Sequence, residues 1–297
     1  MTNVIQYRDA SDTTRGPSPV VWGDCPWMEI QAQVAQGAGG YSLWDDFINA
    51  SNTDAGLHEG AGESAGSTPY ILYGDTGVLI KTQPSTTEGN AIGGVLQMSV
   101  NDTDNDEGSV SGGSPTFIVS DTAAYSKKLW FEARIKSVTV ADNGVAQFIG
   151  LAWDHAAQTS MAKANALVDD TGALGTLGDA SCSFLGFHQD LGDADAWNFV
   201  YKAEGQAETE LISGVDVAVA DTYAKFGFVY DPDAVDAKKI KIYVDGAEQS
   251  TYGTATNIAA ATFPDAEAMA PFWATKVGTG SAAVLCSLDW WRVAQLG

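Results

Sequence analysis

Hydrophobic and polar residues alternate cleanly in the second half of the chain. Leu129, Phe131, Ala133 and Ile135 point one way, and Trp130, Glu132, Arg134 and Lys136 point the other. Successive side chains of a strand leave opposite faces of its sheet, so this segment predicts a strand with one face on a core and one polar face. Lys239–Val244 repeats the pattern, with Ile240, Ile242 and Val244 inward and Lys239, Lys241 and Tyr243 outward. It runs into Asp245-Gly246, a pair that supplies the positive-φ positions of a tight hairpin turn. Further strands are predicted at 77–81, 95–100, 145–153, 182–188, 197–202, 208–213, 223–230, 269–275 and 283–293. Only Met161–Val168 reads as a helix, and a short one. About eleven strands with turn signals between them predict an all-β fold, an antiparallel two-sheet sandwich.

The first 126 residues read differently. Residues 1–40 predict an extended N-terminal arm, because Pro17, Pro19 and Pro26 exclude a central strand or a long helix. Its apolar residues Val21, Trp22, Trp27, Met28 and Ile30 call for burial, either on this chain's own core or by docking on a neighbouring subunit. Residues 41–297 are assigned to the sandwich. Within them, 41–126 are either additional strands or a separate small lobe, and Asn101–Pro115 reads as a long polar loop.

Composition narrows the function. The 297 residues are 45% hydrophobic and 10% aromatic, enough for a sizeable core and too much for wholesale disorder. Fifteen Lys and Arg stand against 38 Asp and Glu, a net charge of −23, which argues against nucleic acid or an anionic membrane as partner. No run approaches the ~20 apolar residues of a membrane span. The first residues lack the apolar run of a signal peptide, so the expectation is a soluble protein made in a cytoplasm. Cys25, Cys182 and Cys286 have no short spacing, which supports neither a zinc cage nor a dithiol motif. They read as three buried free thiols, or as one disulfide and a free thiol.

Candidate chemistry is sparse. His58, His155 and His188 are scattered, none beside a plausible nucleophile, and read as polar loop residues. Asp102, Asp104 and Asp106 alternate as the first calcium ligands of an EF-hand loop do. That loop wants Gly at its sixth position and Glu at its twelfth, where this chain has Glu107 and Gly113, so a solvated polar loop competes with calcium. Trp290 and Trp291 are adjacent and must face opposite ways. One is expected to be covered by the core and the other by the N-terminal part or a partner.

Three strands carry a resemblance. Trp130-Phe-Glu-Ala-Arg-Ile-Lys136, Lys239-Ile-Lys-Ile-Tyr-Val-Asp-Gly246 and Leu288-Asp-Trp-Trp-Arg-Val293 resemble motifs of the concanavalin A-like lectin/glucanase (LamG-like) superfamily, in order. The resemblance implies a jelly roll over roughly residues 70–297. It also implies a test, because its retaining glycanases set two carboxylates about 5 Å apart. Their Glu-x-Asp-x-(x)-Glu strand does not occur here. The nearest approach, Glu204, Glu208 and Glu210, reads as exposed acids around a hairpin, so no enzyme is expected.

The acidic, Gly-rich texture and the Pro/Trp arm resemble capsid-decoration and other head-associated proteins of tailed bacteriophages. That resemblance implies a virion protein made in the host cytoplasm and carried on the capsid exterior. Its partner would be the major capsid protein, docked through Val21, Trp22, Trp27, Met28 and Ile30, and its oligomer a homotrimer. Deleting residues 2–40 is expected to abolish docking and leave the sandwich folded. The alternative is a carbohydrate-binding module with Trp153, His155 and Trp197 in its site.

Overall fold

The computed structural model describes residues 15–32, 39–47, 58–59, 62–64, 70–84, 94–103, 105–138, 140, 144–154, 181–190, 196–278 and 283–297. Two short helices come first, α1 (Pro19–Trp22) and α2 (Trp27–Ala32). Strands β1 (Gly40–Asp45), β2 (His58–Glu59), β3 (Gly62–Ser64) and β4 (Ile71–Gly74) follow. Next are β5 (Leu79–Pro84), β6 (Gly94–Val100), β7 (Glu107–Ser111) and β8 (Phe117–Ile118). The long strands are β9 (Leu129–Ser137), β10 (Val145–Asp154), β11 (Cys182–Gln189), β12 (Ala196–Lys202) and β13 (Thr209–Val217). The chain ends with β14 (Ala224–Tyr230), β15 (Ile240–Val244), β16 (Ala247–Glu248), helix α3 (Ala255–Ile258), β17 (Ala268–Val277) and β18 (Val284–Leu296).

The strands form two antiparallel sheets packed face to face. The first runs β16-β15-β14-β9-β18-β6-β5-β2, with β1 also on β18, and the second runs β13-β12-β11-β10-β17-β7-β4-β3. Strands from residues 40–111 therefore extend both sheets. β7 lies inside the stretch expected to be a loop. Its sequence hides it, since Glu107, Ser109 and Ser111 are polar yet wholly buried. The segment expected as a helix, 161–168, lies outside the described residues.

The core sits where the inward faces meet. Leu129, Phe131, Ala133 and Ile135 of β9 all belong to it, as their alternation predicts. Phe131 stacks on Phe228 with ring centroids 5.1 Å apart, and Phe187 of the second sheet meets Phe226 of the first at 5.0 Å. The Asp245-Gly246 turn has positive φ at both residues, 49° and 78°, and joins β15 to β16 as the sequence predicts. All three cysteines are free thiols.

The polar face of β9 is not open to water. Residues 15–32, part of the expected extended arm, fold as α1 and α2 against the first sheet of their own chain. Val21 and Ile30 join Trp130, Val229, Tyr243 and Ala294 in a second small apolar cluster on that outer face. The physical reason is the face itself, whose apolar side chains would otherwise meet solvent and whose charged groups need partners. A register shift at Asp289 bulges β18 there. The bulge leaves Leu288 and Trp291 in the core, while Asp289 and Trp290 both meet Arg15 outside it. Trp291 packs on Phe47 and Tyr70, and Trp290 Nε1 donates to the Arg15 carbonyl at 2.8 Å, so both tryptophans are covered as expected.

Candidate functional site: the aromatic surface of the N-terminal segment

Asp289 is fully buried and accepts from Arg15 Nε at 2.8 Å, from Arg15 Nη2, and from Arg134 Nη1 at 2.6 Å. Two cations on one carboxylate fix the start of the segment to the centre of the sheet. Glu132 fixes the next turn: its Oε2 accepts Ser18 N–H at 2.9 Å and Trp22 Nε1–H at 2.8 Å. Burial pushes the Glu132 carboxyl above the usual carboxylate range, against the lowering effect of those donors and of Lys225. Trp130 Nε1 donates to Asp24 at 2.9 Å, and Lys128 bridges Asp24 and Asp231.

The anchored segment builds an aromatic surface. The Arg292 guanidinium lies 5.2 Å from the Trp22 ring, 4.6 Å from Trp27 and 4.1 Å from Trp44. Trp27 meets Trp22 and Trp44 edge-on, at 5.6 and 6.2 Å. All three indoles are half-buried. Beside them in sequence, Val20 of α1 is 62% exposed and Met28 of α2 is 76% exposed. Of the five docking residues expected from the sequence, then, Val21 and Ile30 serve the fold, while Trp22, Trp27 and Met28 face outward to different degrees. Trp44 and Arg292 were missed, because they come from strands far away in sequence.

The other candidates are placed as follows. Trp153 and Trp197 are buried in the core, so neither offers a ring face at the surface, and His155 lies outside the described residues. Trp197 does line a small cavity between the sheets. Asp102 and Asp106 are described and Asp104 is not; among the described residues no three His, Cys, Asp or Glu side chains gather as a metal site. His188 lies near the end of β11, in the strand predicted at 182–188, but it is fully buried rather than an ordinary polar loop residue, with Nδ1 3.2 Å from Glu208 Oε1. The Glu208 side chain is only 2% exposed, which corrects its reading as an exposed acid; Glu204 and Glu210 are exposed.

The face of the second sheet turned away from the core is also buried. Phe148, Phe184 and Phe272 cluster there, ring centroids 5.2 to 6.3 Å apart. Gly150 and Gly186 pair across β10 and β11 beneath Phe148. A Cβ on Gly150 would come within 2.4 Å of the Leu185 carbonyl, so only glycine permits this approach. Lys202, Lys276, Glu107 and Asn198 on this face are at most 2% exposed.

No protein-family model matches the sequence, and no curated protein does either. Solved structures do match. A protein of unknown function from Shewanella oneidensis MR-1 shares 13% identity at a TM-score of 0.51, over 91% of this chain and 94% of that one. Peanut lectin shares 14% over 87% and 98% at a TM-score of 0.46. A Bacillus licheniformis β-glucanase shares 14% over 87% and 98% at 0.43. The antiparallel two-sheet sandwich itself is the fold the strand pattern led one to expect.

Proposed function

We propose that this chain is a non-enzymatic structural protein that attaches to a protein shell through the aromatic surface of residues 20–28 and Trp44. The observation that carries the reading is the exposure of Val20 and Met28 beside three half-buried tryptophans around Arg292. Trp, Met and Arg are the residue types enriched at protein interfaces, and a rigidly anchored surface loses little freedom on binding. We take the shell to be the head of a tailed phage, the reading that the acidic, Gly-rich texture and the Pro/Trp arm imply. On this reading the chain is a decoration protein, a homotrimer seated on the major capsid protein, with the acidic sandwich turned outward.

The test is co-sedimentation with purified capsids stripped of their outer proteins. The wild-type chain should saturate them, and the double variant Val20→Asp, Met28→Asp should bind at least about tenfold more weakly while keeping its fold. Equal binding by both would remove the reading. A second reading, a carbohydrate-binding module, is favoured by the same half-buried indoles, since ring faces stack on sugar C–H surfaces. A glycan array with a strong hit, and no capsid binding, would decide for it.

A further inference from the structure

Where the two sheets part beside β9, β12, β13 and β14, a cavity of about 120 Å³ opens between them. Trp197 and Phe226 form part of its wall, with ring centroids 4.6 Å apart. Asp216 and Asp245 line it too, and Asp216 is the cross-strand partner of Trp197. Gln147, 1% exposed, lines it with Lys136, Ser137, Thr222 and Tyr223. Its Nε2 donates to Gln189 Oε1 at 3.1 Å, and its Oε1 is a buried acceptor with no donor among the described residues.

Gln147 Oε1 is costly to leave without a donor. Two carboxylates stand beside it: Asp216 is half-buried, while Asp245 is exposed and its Oδ1 accepts the Lys225 N–H at 2.9 Å. Of the three cations nearby, Lys136 lines the cavity itself, its ammonium 5.2 Å from the Tyr223 ring. Lys136 Nζ bonds Asp221 at 2.7 Å, Arg134 is held by Asp289, and Lys225 Nζ reaches the Gly16 carbonyl at 3.3 Å. Burial raises the Asp216 carboxyl above its usual range, against the lowering effect of the Val217 backbone N–H and with the charge of Asp245 adding to it. Aromatic walls, acidic groups and an unmet acceptor together describe a receptor for a donor of positive charge. The volume sets its size, since a cavity of ~150 Å³ is filled by benzene.

We propose that this cavity binds a small organic ammonium ion, with Asp216 as counter-charge, Trp197 and Phe226 as ring walls and Gln147 Oε1 accepting an N–H. The same ammonium chemistry comes from a free amine or from a lysine side chain on a partner. Val217 and Val219, both about 60% exposed, are placed to meet the aliphatic remainder of either at the rim.

The test is titration of the intact chain with ¹³C-methylammonium, followed by the shift of the methyl resonance, with methanol as the neutral probe of similar size. Methylammonium should bind saturably and at least about tenfold tighter than methanol, with the upfield shift of a methyl group over aromatic rings. Tetramethylammonium, which has no N–H for Gln147, should bind more weakly than methylammonium. Asp216→Asn should weaken methylammonium about tenfold or more, while Asp236→Asn, on an exposed side chain away from the cavity, leaves it unchanged. A short lysine peptide that competes with methylammonium assigns the partner source, and one that does not assigns the free amine. No saturable binding, equal affinity for methanol, or full affinity in Asp216→Asn would each overturn the proposal, and the comparison of probes needs no variant to fold.

Discussion

At the scale of single residues, Asp289 has the largest predicted effect. Its carboxylate is fully buried between Arg15 and Arg134, whose side chains are 11% and 7% exposed. Asp289→Ala leaves two buried cations without their partner and should cost about 3–5 kcal/mol, read from urea unfolding midpoints at constant slope. Glu132 makes a pH-dependent prediction. Its carboxyl is raised in the folded state, so its stability contribution is complete below the ordinary value of 4.5 and is lost as pH rises through the folded value. Glu132→Gln keeps an acceptor for Ser18 and Trp22 without the charge, though it gives up the attraction of Lys225. The variant should therefore gain on the wild type as unfolding is measured from acid towards neutral pH. Among the thiols, burial pushes Cys25 up to about 12 and Cys286 up to about 11. Neither should react with a disulfide reagent at pH 8 until the chain unfolds, because the thiolate is the nucleophile.

At the scale of elements, legibility followed local pattern. β9 and β15 could be read because apolar residues alternate with charged ones, and the Asp245-Gly246 turn because its chemistry is confined to two residues. β7 could not, since Glu107-Gly-Ser-Val-Ser111 has one apolar side chain and is buried on both faces by tertiary contacts. α1 and α2 were hidden by their prolines. Pro19 stands at the first helical position, where a missing N–H costs nothing, so it starts a short helix here. The candidate surface was half legible: Trp22, Trp27 and Met28 sit close together in sequence, but nothing local assigns Arg292 or Trp44 to them. The reading of residues 1–40 as a removable arm also changes at this scale. Deleting residues 15–32 uncovers Trp130, Val229, Tyr243 and Ala294 and strips Asp289 of Arg15. The deletion should lower the melting temperature and promote self-association, measured by calorimetry and light scattering, where the sequence alone predicts an untouched sandwich.

At the scale of the whole molecule, function rests on where covering is complete and where it stops. The interior between the sheets is filled by side chains except at the cavity beside Trp197, and the described residues on the outer face of the second sheet's central strands are buried as well. The first sheet is closed by the chain's own beginning, and that cover carries Val20 and Met28 at its surface. The central strands of the two halves are joined through β18, which pairs with β9 on one side and with β6 and β1 on the other. A chain cut after residue 283 should lose cooperative unfolding altogether, as circular dichroism against urea would show, because β9, β6 and β1 then share no partner.

The bond between Arg15 and Asp289 spans 274 residues, and it also sets a clock. During synthesis β9 is complete roughly 150 residues before β18, an interval of about 10–30 s at ribosomal speed. Throughout it Trp130 and its neighbours lack β18 and the ion that pins their cover, although β14, their partner on the other side, arrives within it. The half-made chain must be held soluble by its acidic charge or by a chaperone until the last strand arrives. The duration of that wait is written in the length of chain between β9 and β18.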